Sequence, residues 1–393
     1  MSDTLSRRDF LKLAGVGVAA TAVLTGCGPA SRYVVREPYA QMPEYTYNGQ
    51  STYYATTCRE CPAGCGLVVR THQGRAIKVE GNKLHPVNRG RTCARAQAAI
   101  QGLYNPDRIQ NPLRQNGRGS ANFTTLTWED AVRVVQDALT NYQPSQIAFL
   151  LGLAPDHLAD LVSELTAALG APAPIRYGAY AFFEARNTLA EAVGRLFGKR
   201  ALPVFDIGGS DMLFSFAANF LETWLSPVAF TQAYSRLRRQ EGRSRGYFVQ
   251  FETRLSQTAA KADWWIPLLP GQEGLVALAL GRLVAEQRGG AIPTPFLDVD
   301  VAAVAAQTGI AQETLQHLAG LLAGAQRPLV IPGGAALGGT NALENAQAIL
   351  ALNQLLGNLG RTGGVFLTPE LPVQTDKRSC RVRSKTWLLW SKR

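Results

Sequence analysis

The sequence contains little histidine and little cysteine, with 4 histidines and 6 cysteines among 393 residues. It has no C-x-x-C-H motif, and this excludes covalently attached c-type haem. The apolar run near the N-terminus covers about fourteen residues, too few to predict a membrane-spanning helix. No nucleic-acid-binding motif occurs, so the net charge of +11 does not indicate a nucleic-acid partner.

The positive charge is concentrated at the C-terminus. The last eighteen residues contain seven basic residues and one acid, a net charge of +6. Residues 371–393 are therefore predicted to form an atypical basic tail, and the shift in composition favours a fragment or a reading frame lost near Thr375. The whole sequence is 46% hydrophobic, as expected for a globular protein of two or three domains.

Four of the six cysteines are grouped. Cys58, Cys61 and Cys65 form the pattern C-x2-C-x3-C, and Cys93 follows after 27 intervening residues. Thiols with this spacing are typical of iron–sulfur ligation, although four cysteines also suit a structural zinc ion. Disulfides are a poorer explanation, because three cysteines so close together cannot pair well with one another. Zinc ribbons usually present two C-x-x-C pairs, so the spacing favours iron–sulfur over zinc and leaves zinc open.

The first 27 residues predict an export signal. Arg7 and Arg8 precede a weakly hydrophobic run that ends in Leu24-Thr25-Gly26-Cys27. Twin arginines are typical of the Tat route, which carries proteins that fold before export. The L-T-G-C order resembles a lipobox, so we predict that Cys27 is lipidated and anchors the protein to the outer, periplasmic face of the cytoplasmic membrane. The alternative is a cysteine that merely falls near a cleavage point. Residues 28–52 are assigned as a linker.

The rest of the chain alternates between predicted strands and predicted helices. Buried strands are predicted at Ile147–Leu151, Met212–Phe216, Tyr247–Phe251 and Leu329–Ile331. Helices are predicted at Gly274–Glu286, Glu313–Leu322 and Leu343–Leu356, and Thr127 is predicted to cap a further helix. This alternation predicts α/β domains with a largely parallel sheet, in which ligands bind at the carboxyl ends of the strands.

Several strings around the cysteines carry a resemblance to a known family. The string G-N-x-x-H-P-x-N-x-G follows a predicted hairpin, and L-Y-N-P-D-R-I follows Cys93. From Cys58 to Leu113 the chain resembles the N-terminal iron–sulfur domain of the molybdopterin oxidoreductase superfamily. The resemblance implies that one [4Fe–4S] cluster is bound by Cys58, Cys61, Cys65 and Cys93. It also implies that Arg95 lies between the cluster and the pterin, where it tunes the cluster potential or relays electrons. It also implies a small β-rich 4Fe–4S domain at 53–115, α/β domains of the superfamily's type at 120–205 and 206–370, and a missing C-terminal barrel.

The segment that should ligate molybdenum departs from the family. The superfamily uses Cys, Ser, Asp or selenocysteine before the strand at Met212–Phe216, and Tyr177–Arg200 contains none of these residues. Glu184 is a poor substitute for a soft or strongly anionic donor. Glu252 and Thr253 also replace part of a common Asp-Pro-Arg pattern. We therefore expect no molybdenum, and the presence of molybdopterin is in doubt.

Further strings resemble one branch of the superfamily. Ser215–Pro227 and the glycine-rich stretch after Val330 resemble the large iron–sulfur subunit of alternative complex III, a membrane quinol oxidoreductase. This implies an electron-transfer or scaffold subunit that is not catalytic alone. The implied partners are a ferredoxin-like iron–sulfur subunit or domain, a polytopic quinol-binding membrane subunit and cytochrome c subunits. The alternatives are a truncated large subunit of a molybdopterin-dependent polysulfide or thiosulfate reductase, and a structural subunit with zinc or an empty site.

Overall fold

A computed structural model describes residues 50–152, 154–176, 185–239 and 245–368. Cys27, Glu184 and the predicted basic tail lie outside these residues. The strands are β1 (Ser51–Thr57), β2 (Gly66–His72), β3 (Arg75–Gly81), β4 (Leu113–Gln115), β5 (Phe123–Thr125), β6 (Leu150–Leu151), β7 (Ile175–Arg176), β8 (Pro203–Phe205), β9 (Met212–Phe216), β10 (Tyr247–Phe251), β11 (Trp264–Ile266), β12 (Pro328–Pro332) and β13 (Val365–Leu367). The helices are α1 (Ala94–Leu103), α2 (Trp128–Asn141), α3 (Asp156–Leu169), α4 (Arg186–Phe197), α5 (Pro227–Arg238), α6 (Glu273–Arg288), α7 (Thr294–Leu297), α8 (Val301–Thr308), α9 (Gln312–Gly324) and α10 (Ala342–Leu356).

The N-terminal part is a small antiparallel sheet with the strand order β1-β2-β3. The turn between β2 and β3 places Gln73 and Gly74 at positive φ, a conformation that glycine adopts without strain. The predicted hairpin is therefore confirmed, with β1 as an additional strand that the sequence pattern did not reveal. By their contacts, residues 50–54 and Val69–Lys78 fall in one unit, while Ala55–Val68 and the described residues from Val79 onward fall in another.

A second segment carries two amphipathic helices. Thr127 caps α2 as predicted, since its Oγ1 accepts a hydrogen bond from the Asp130 backbone N–H at 3.1 Å. None of the described residues of α2 is buried, and the Trp128 side chain is 69% exposed. β6 and β7 pair in parallel beside these helices, but β6 contains only the last two residues of the strand predicted at Ile147–Leu151. This segment therefore leaves much apolar surface in contact with solvent.

The larger α/β part is built on a four-stranded parallel sheet with the order β11-β10-β9-β12. Tyr247 lies opposite Met212, and Pro328 lies opposite Met212 on the other side of β9. All five residues of β9 are buried, which explains why this strand appears in the sequence as a continuous apolar run. The predicted strands β9 and β10 are confirmed with their exact bounds, and β12 extends the predicted strand by one residue at each end.

Helices cover both faces of this sheet. Successive residues of β9 point to opposite faces, so Phe214 lies in one hydrophobic core and Leu213 lies in the other. The first core contains residues of α6, α8 and α9, and the second contains residues of α4 and α5, while α10 contributes to both. β8 pairs with β13 in a separate antiparallel sheet. β8 lies before the domain boundary predicted at residue 205 and β13 lies after it, so this sheet joins segments from both predicted α/β domains. The domain bounds given above stay predictions.

Within the described ranges, no helix combines the length and the hydrophobicity that a bilayer-spanning segment needs.

Candidate metal centre

The first three cysteines lie on one loop between adjacent strands. Cys58 directly follows β1 and Cys65 directly precedes β2, so the loop connects neighbouring strands of the N-terminal sheet. The Cys58 backbone N–H donates to the Cys65 carbonyl oxygen at 2.7 Å, which closes the base of the loop. Gly64 adopts a φ of +61°, a left-handed conformation that favours glycine just before the last cysteine. Cys61 therefore lies at the tip of a closed loop between the other two.

The fourth cysteine comes from a different element. Cys93 is the N-cap residue of α1, and the backbone there is extended before the helix begins. Cys58, Cys61, Cys65 and Cys93 line a single cavity, together with Arg95 from the first turn of α1. The structure thus brings together all four cysteines and the arginine that were selected from the sequence. Their assignment as cluster ligands remains a prediction.

Part of the cavity wall comes from the α/β body. Pro227 and Val228, the first two residues of α5, line the cavity beside the cysteines. Neither residue could be associated with the cysteines from the sequence, because they are more than a hundred positions away. Cys93 at the start of α1 and Pro227 at the start of α5 place two helix N-termini at this cavity. Helix N-termini carry a partial positive charge, so they favour an anionic occupant.

Two of the four thiols, those of Cys58 and Cys65, resist deprotonation when no metal is bound. Burial raises the pKa of Cys65 to about 11, and the neighbouring cysteines Cys61, Cys58 and Cys93 add to the effect. Burial is also the main cause that raises the pKa of Cys58. The thiols of Cys58 and Cys65 therefore stay protonated near neutral pH unless a cation compensates their charge, and metal binding by these two residues releases protons.

The donor set fits a polynuclear cluster. None of the four cysteines forms a disulfide. All four line one cavity. Four cysteine thiolates are the usual ligands of a [4Fe–4S] cluster, and four thiols also suit a single zinc ion. The donor set therefore fits the iron–sulfur cluster that the sequence predicts, and zinc stays the alternative.

A buried asparagine links the cysteine segments. Asn88 is 0% exposed, and its Oδ1 accepts from the Gly66 backbone N–H at 2.9 Å. Its Nδ2 donates to the carbonyl oxygens of Gly66 and Arg91, each at 2.8 Å. Gly66 follows Cys65, and Arg91 lies two residues before Cys93. Gln232 of α5 donates through Nε2 to the Asn88 carbonyl oxygen at 2.7 Å. The network therefore ties both cysteine segments and α5 together.

The sequence signalled this network only indirectly. Asn88 belongs to the string G-N-x-x-H-P-x-N-x-G that carried the family resemblance, but no role was assigned to it. Gln232 gave no signal at all, since one glutamine on an amphipathic helix is indistinguishable from a solvated residue.

The carboxyl ends of the parallel strands form the second candidate site. Glu252, just after β10, is 4% exposed; its carboxylate accepts from Ser256 Oγ at 2.6 Å and from Gln250 Nε2 at 3.2 Å. Glu222 is close enough that its charge helps to raise the pKa of Glu252, although burial is the main cause. Arg254 lies 3.8 Å from the Glu252 carboxylate. Glu252 and Glu222 would repel the phosphate of a pterin, and Arg254 is paired with Glu252. These described side chains therefore do not fit a phosphate-bearing pterin.

The chain itself fills the crevice between β9 and β12, where ligands of such sheets usually bind. Trp224 is 1% exposed and stacks on Phe230, with ring centroids 5.2 Å apart. A Cβ atom at Gly333 would lie 2.6 Å from the Ala218 Cβ and 2.7 Å from Trp224 Nε1. The glycine at position 333 therefore accommodates residues of the loop after β9.

The segment expected to ligate molybdenum is described from residue 185 to residue 200. Tyr177–Glu184 lies outside the described residues, so the proposed absence of a donor there rests on sequence alone. In the described remainder of that segment, the only carboxylate is Glu191. It pairs with Arg195 at 3.1 Å and Arg200 at 3.0 Å. This pairing is typical of a solvated helix surface.

Glu252 gives a pH-dependent prediction. Because burial raises its folded-state pKa above the ordinary 4.5, the folded protein retains the proton to higher pH than the unfolded chain. The contribution of Glu252 to stability is therefore fully present below its pKa in the unfolded chain. It is lost as pH rises through its pKa in the folded protein. In the unsubstituted protein, the unfolding free energy should fall as pH rises from about 5 to about 8. In Glu252→Gln this fall should be smaller, as measured by urea denaturation at each pH. Glu313→Gln, at an exposed position, is the control; an unchanged pH dependence in Glu252→Gln contradicts the prediction.

Two family models match the sequence. Residues 51–105 match the molybdopterin oxidoreductase Fe4S4 domain, and residues 4–23 match the TAT (twin-arginine translocation) pathway signal sequence. The first match contains all four grouped cysteines and Arg95. The second confirms the predicted Tat signal and supports export across the cytoplasmic membrane, while lipidation of Cys27 remains a prediction.

Known proteins share sequence over most of the chain. The molybdopterin-binding-like subunit of menaquinone reductase from Nitratidesulfovibrio vulgaris is 30% identical over 98% of this chain and 56% of its own length. The molybdopterin-containing subunit of thiosulfate reductase from Salmonella typhimurium is 24% identical over 92% of this chain and 48% of its own length. The chain thus spans about half the length of these relatives.

A solved structure has the same fold. Acetylene hydratase from Pelobacter acetylenicus superposes with a TM-score of 0.64 at 16% identity, covering 80% of this chain and 44% of that chain. The likeness confirms the predicted architecture of a small β-rich iron–sulfur domain followed by a parallel-sheet α/β body. Together with the Fe4S4 domain match, these relatives establish that the chain is a member of the molybdopterin oxidoreductase superfamily.

Proposed function

We propose that this protein is an iron–sulfur electron-transfer or scaffold subunit of a membrane-associated quinol oxidoreductase similar to alternative complex III. Cys58, Cys61, Cys65 and Cys93 bind one [4Fe–4S] cluster, and the α/β body carries no molybdenum. The observation that carries the proposal is one cavity lined by four free thiols, combined with strand ends that do not fit a phosphate-bearing pterin. The relative from Nitratidesulfovibrio vulgaris is a subunit of a menaquinone reductase, which supports a role in quinone chemistry.

The residues around the cavity have separable roles. When bound, a [4Fe–4S] cluster supplies one-electron transfer at a potential set by charge, hydrogen bonds and solvent exposure. The N-termini of α1 and α5 direct partial positive charge toward the cavity, which stabilises the more negative, reduced state. Arg95 and Glu60 line the same cavity, so its charged side chains are one cation and one anion. Cys58 and Cys65 are buried, whereas Cys61 and Cys93 are partly exposed and form the side from which electrons enter or leave.

The relatives are described as subunits, which supports assembly with other redox proteins. We propose a ferredoxin-like iron–sulfur subunit or domain, a polytopic quinol-binding membrane subunit and cytochrome c subunits as partners. Quinol oxidation itself belongs to the membrane subunit. Lipidation of Cys27 holds this chain at the periplasmic face of the cytoplasmic membrane, and metabolic labelling with palmitate checks that step.

Metal analysis of the anaerobically purified protein tests the proposal. We expect about four iron atoms per chain, because four thiols line one cavity, and far less than stoichiometric molybdenum, because the sequence offers no Cys, Ser or Asp where the superfamily ligates it. The reduced protein should also give the electron paramagnetic resonance signal of a [4Fe–4S] cluster. Stoichiometric molybdenum with pterin would instead favour a sulfur-compound reductase, and zinc without iron would favour a structural subunit.

A further inference from the structure

The loop that precedes Cys93 has a backbone conformation fixed by hydrogen bonds. We call residues 82–92 the cationic loop. The backbone N–H of Asn82 donates to the Gly66 carbonyl oxygen, and that of Gly90 donates to the Asn82 carbonyl oxygen, both at 2.9 Å. Asn82 Oδ1 accepts from the Leu84 N–H at 2.9 Å, and Asn88 anchors the far side of the loop. The surface of the loop is therefore ordered before any partner binds, which lowers the entropy cost of docking.

Hydrophobic side chains are exposed on this ordered loop. Leu84 is 92% exposed, the highest value among the exposed large hydrophobic residues of the described chain, and Val87 is 38% exposed. A single exposed leucine is ordinary on a protein surface. Here, however, the backbone of the loop is held in place and presents Leu84 outward. A small apolar contact surrounded by charge is the composition of transient protein interfaces.

The charged side chains of the cationic loop have one sign. Lys83, Arg89 and Arg91 are exposed, and the cationic loop contains no acidic residue. In the described part of the chain, none of the three cations forms an ion pair. Their field is therefore directed toward solvent, where it attracts an anionic surface and accelerates encounter with it.

The cationic loop also leads directly into the cysteine cavity. Thr92, its last residue, lines the cavity, and Cys93 follows. A protein docked on the cationic loop would therefore contact the segment that ends at Cys93, which is partly exposed. Electron-transfer complexes use small, weak interfaces beside the redox centre, since they must dissociate after each transfer.

We infer that the cationic loop is the docking surface for an acidic electron-transfer protein, whose anionic rim faces Lys83, Arg89 and Arg91 and whose apolar centre receives Leu84. This inference names the kind of partner for the proposed cluster and rests on the proposed function. An anionic membrane surface is the competing occupant, and the experiment separates the two.

The test measures binding of two probes to the full chain by calorimetry. The first probe is a small acidic plant-type ferredoxin, and the second is a basic mitochondrial-type cytochrome c. We expect the ferredoxin to bind, more tightly at low ionic strength than at physiological ionic strength. The double variant Lys83→Glu/Arg91→Glu should weaken this binding by about tenfold or more and remove most of its salt dependence.

Matched variants control for charge and for folding. Arg114→Glu/Arg118→Glu makes the same change in charge at exposed positions around the β4–β5 hairpin, and it should alter the affinity by less than about twofold. Leu84→Ser, which keeps all charges, should also weaken binding, whereas Leu113→Ser should not. Circular dichroism melting verifies that each variant is folded.

Each outcome decides the inference. The inference is wrong if the loop and hairpin variants lose equal affinity for ferredoxin. It is also wrong if ferredoxin does not bind, or if cytochrome c binds more strongly than ferredoxin. Loop-dependent binding to vesicles of anionic phospholipid, without loop-dependent binding of ferredoxin, assigns the surface to the membrane and also overturns it. Iron content and cluster absorbance of the same samples report separately on the proposed function. If ferredoxin binding depends on the loop but the protein contains no iron, the docking surface is supported and the proposed cluster is wrong.

Discussion

Replacement of Cys65 by serine is expected to abolish the iron–sulfur cluster. Cys65 is 6% exposed, lines the cavity and directly precedes β2, so no other thiol in the described chain is placed to substitute for it. A serine hydroxyl is a much poorer ligand for iron than a thiolate. Iron content should fall from about four atoms per chain to below one, with loss of the visible absorbance of the cluster.

The chain contains its own control for this experiment. Cys380 lies outside the grouped cysteines and outside the described residues, so Cys380→Ser should leave iron content and absorbance unchanged. Full iron occupancy in Cys65→Ser would show that Cys65 is not a ligand. A parallel loss in both variants would indicate a general effect of cysteine removal during purification.

Replacement of Asn88 by alanine should both destabilise the fold and reduce cluster yield. The change removes three hydrogen bonds and leaves the Gly66 N–H buried without its partner. At roughly 1 kcal/mol for each of the three lost bonds, plus about 1–3 kcal/mol for the unsatisfied donor, the free energy of unfolding should fall by about 4–6 kcal/mol. Urea denaturation measures this loss, and cluster absorbance after anaerobic purification measures the yield.

An exposed asparagine provides the comparison. Asn122 lies near the β4–β5 hairpin and its side chain is exposed, so Asn122→Ala should change the unfolding free energy by less than about 0.5 kcal/mol. A destabilisation of the same size in both variants would remove the special role assigned to Asn88. Loss of stability with full cluster yield would limit that role to folding.

The parts of the site that the sequence predicted correctly are those with local patterns. Cys58, Cys61 and Cys65 are neighbours along the chain, so their spacing alone gathers them in space. β9 and β10 are buried on both faces, and this burial produces the apolar runs from which their exact bounds were predicted. In contrast, β1 mixes polar and aromatic residues on an exposed surface and produces no such run.

The parts that could not be predicted depend on contacts between distant segments. The hydrogen bond from Gln232 to Asn88 joins residues 144 positions apart, and the placement of Pro227 in the cavity wall follows from the packing of α5. Glu252 is a different case. Its departure from the family pattern was noticed, but whether it was a ligand or a solvated residue could be decided only from its burial and its bonds to Gln250 and Ser256.

The shared wall of the cysteine cavity has a consequence for the order of events in biosynthesis. The four cysteines are synthesised within the first hundred residues, but Val228 and Gln232 emerge from the ribosome much later. The cavity is therefore incomplete on the nascent N-terminal domain, and it closes only when α5 has folded onto that domain. Cluster insertion is thus expected to follow the synthesis and folding of α5 and to precede export, so the Tat pathway would receive a chain that is already loaded.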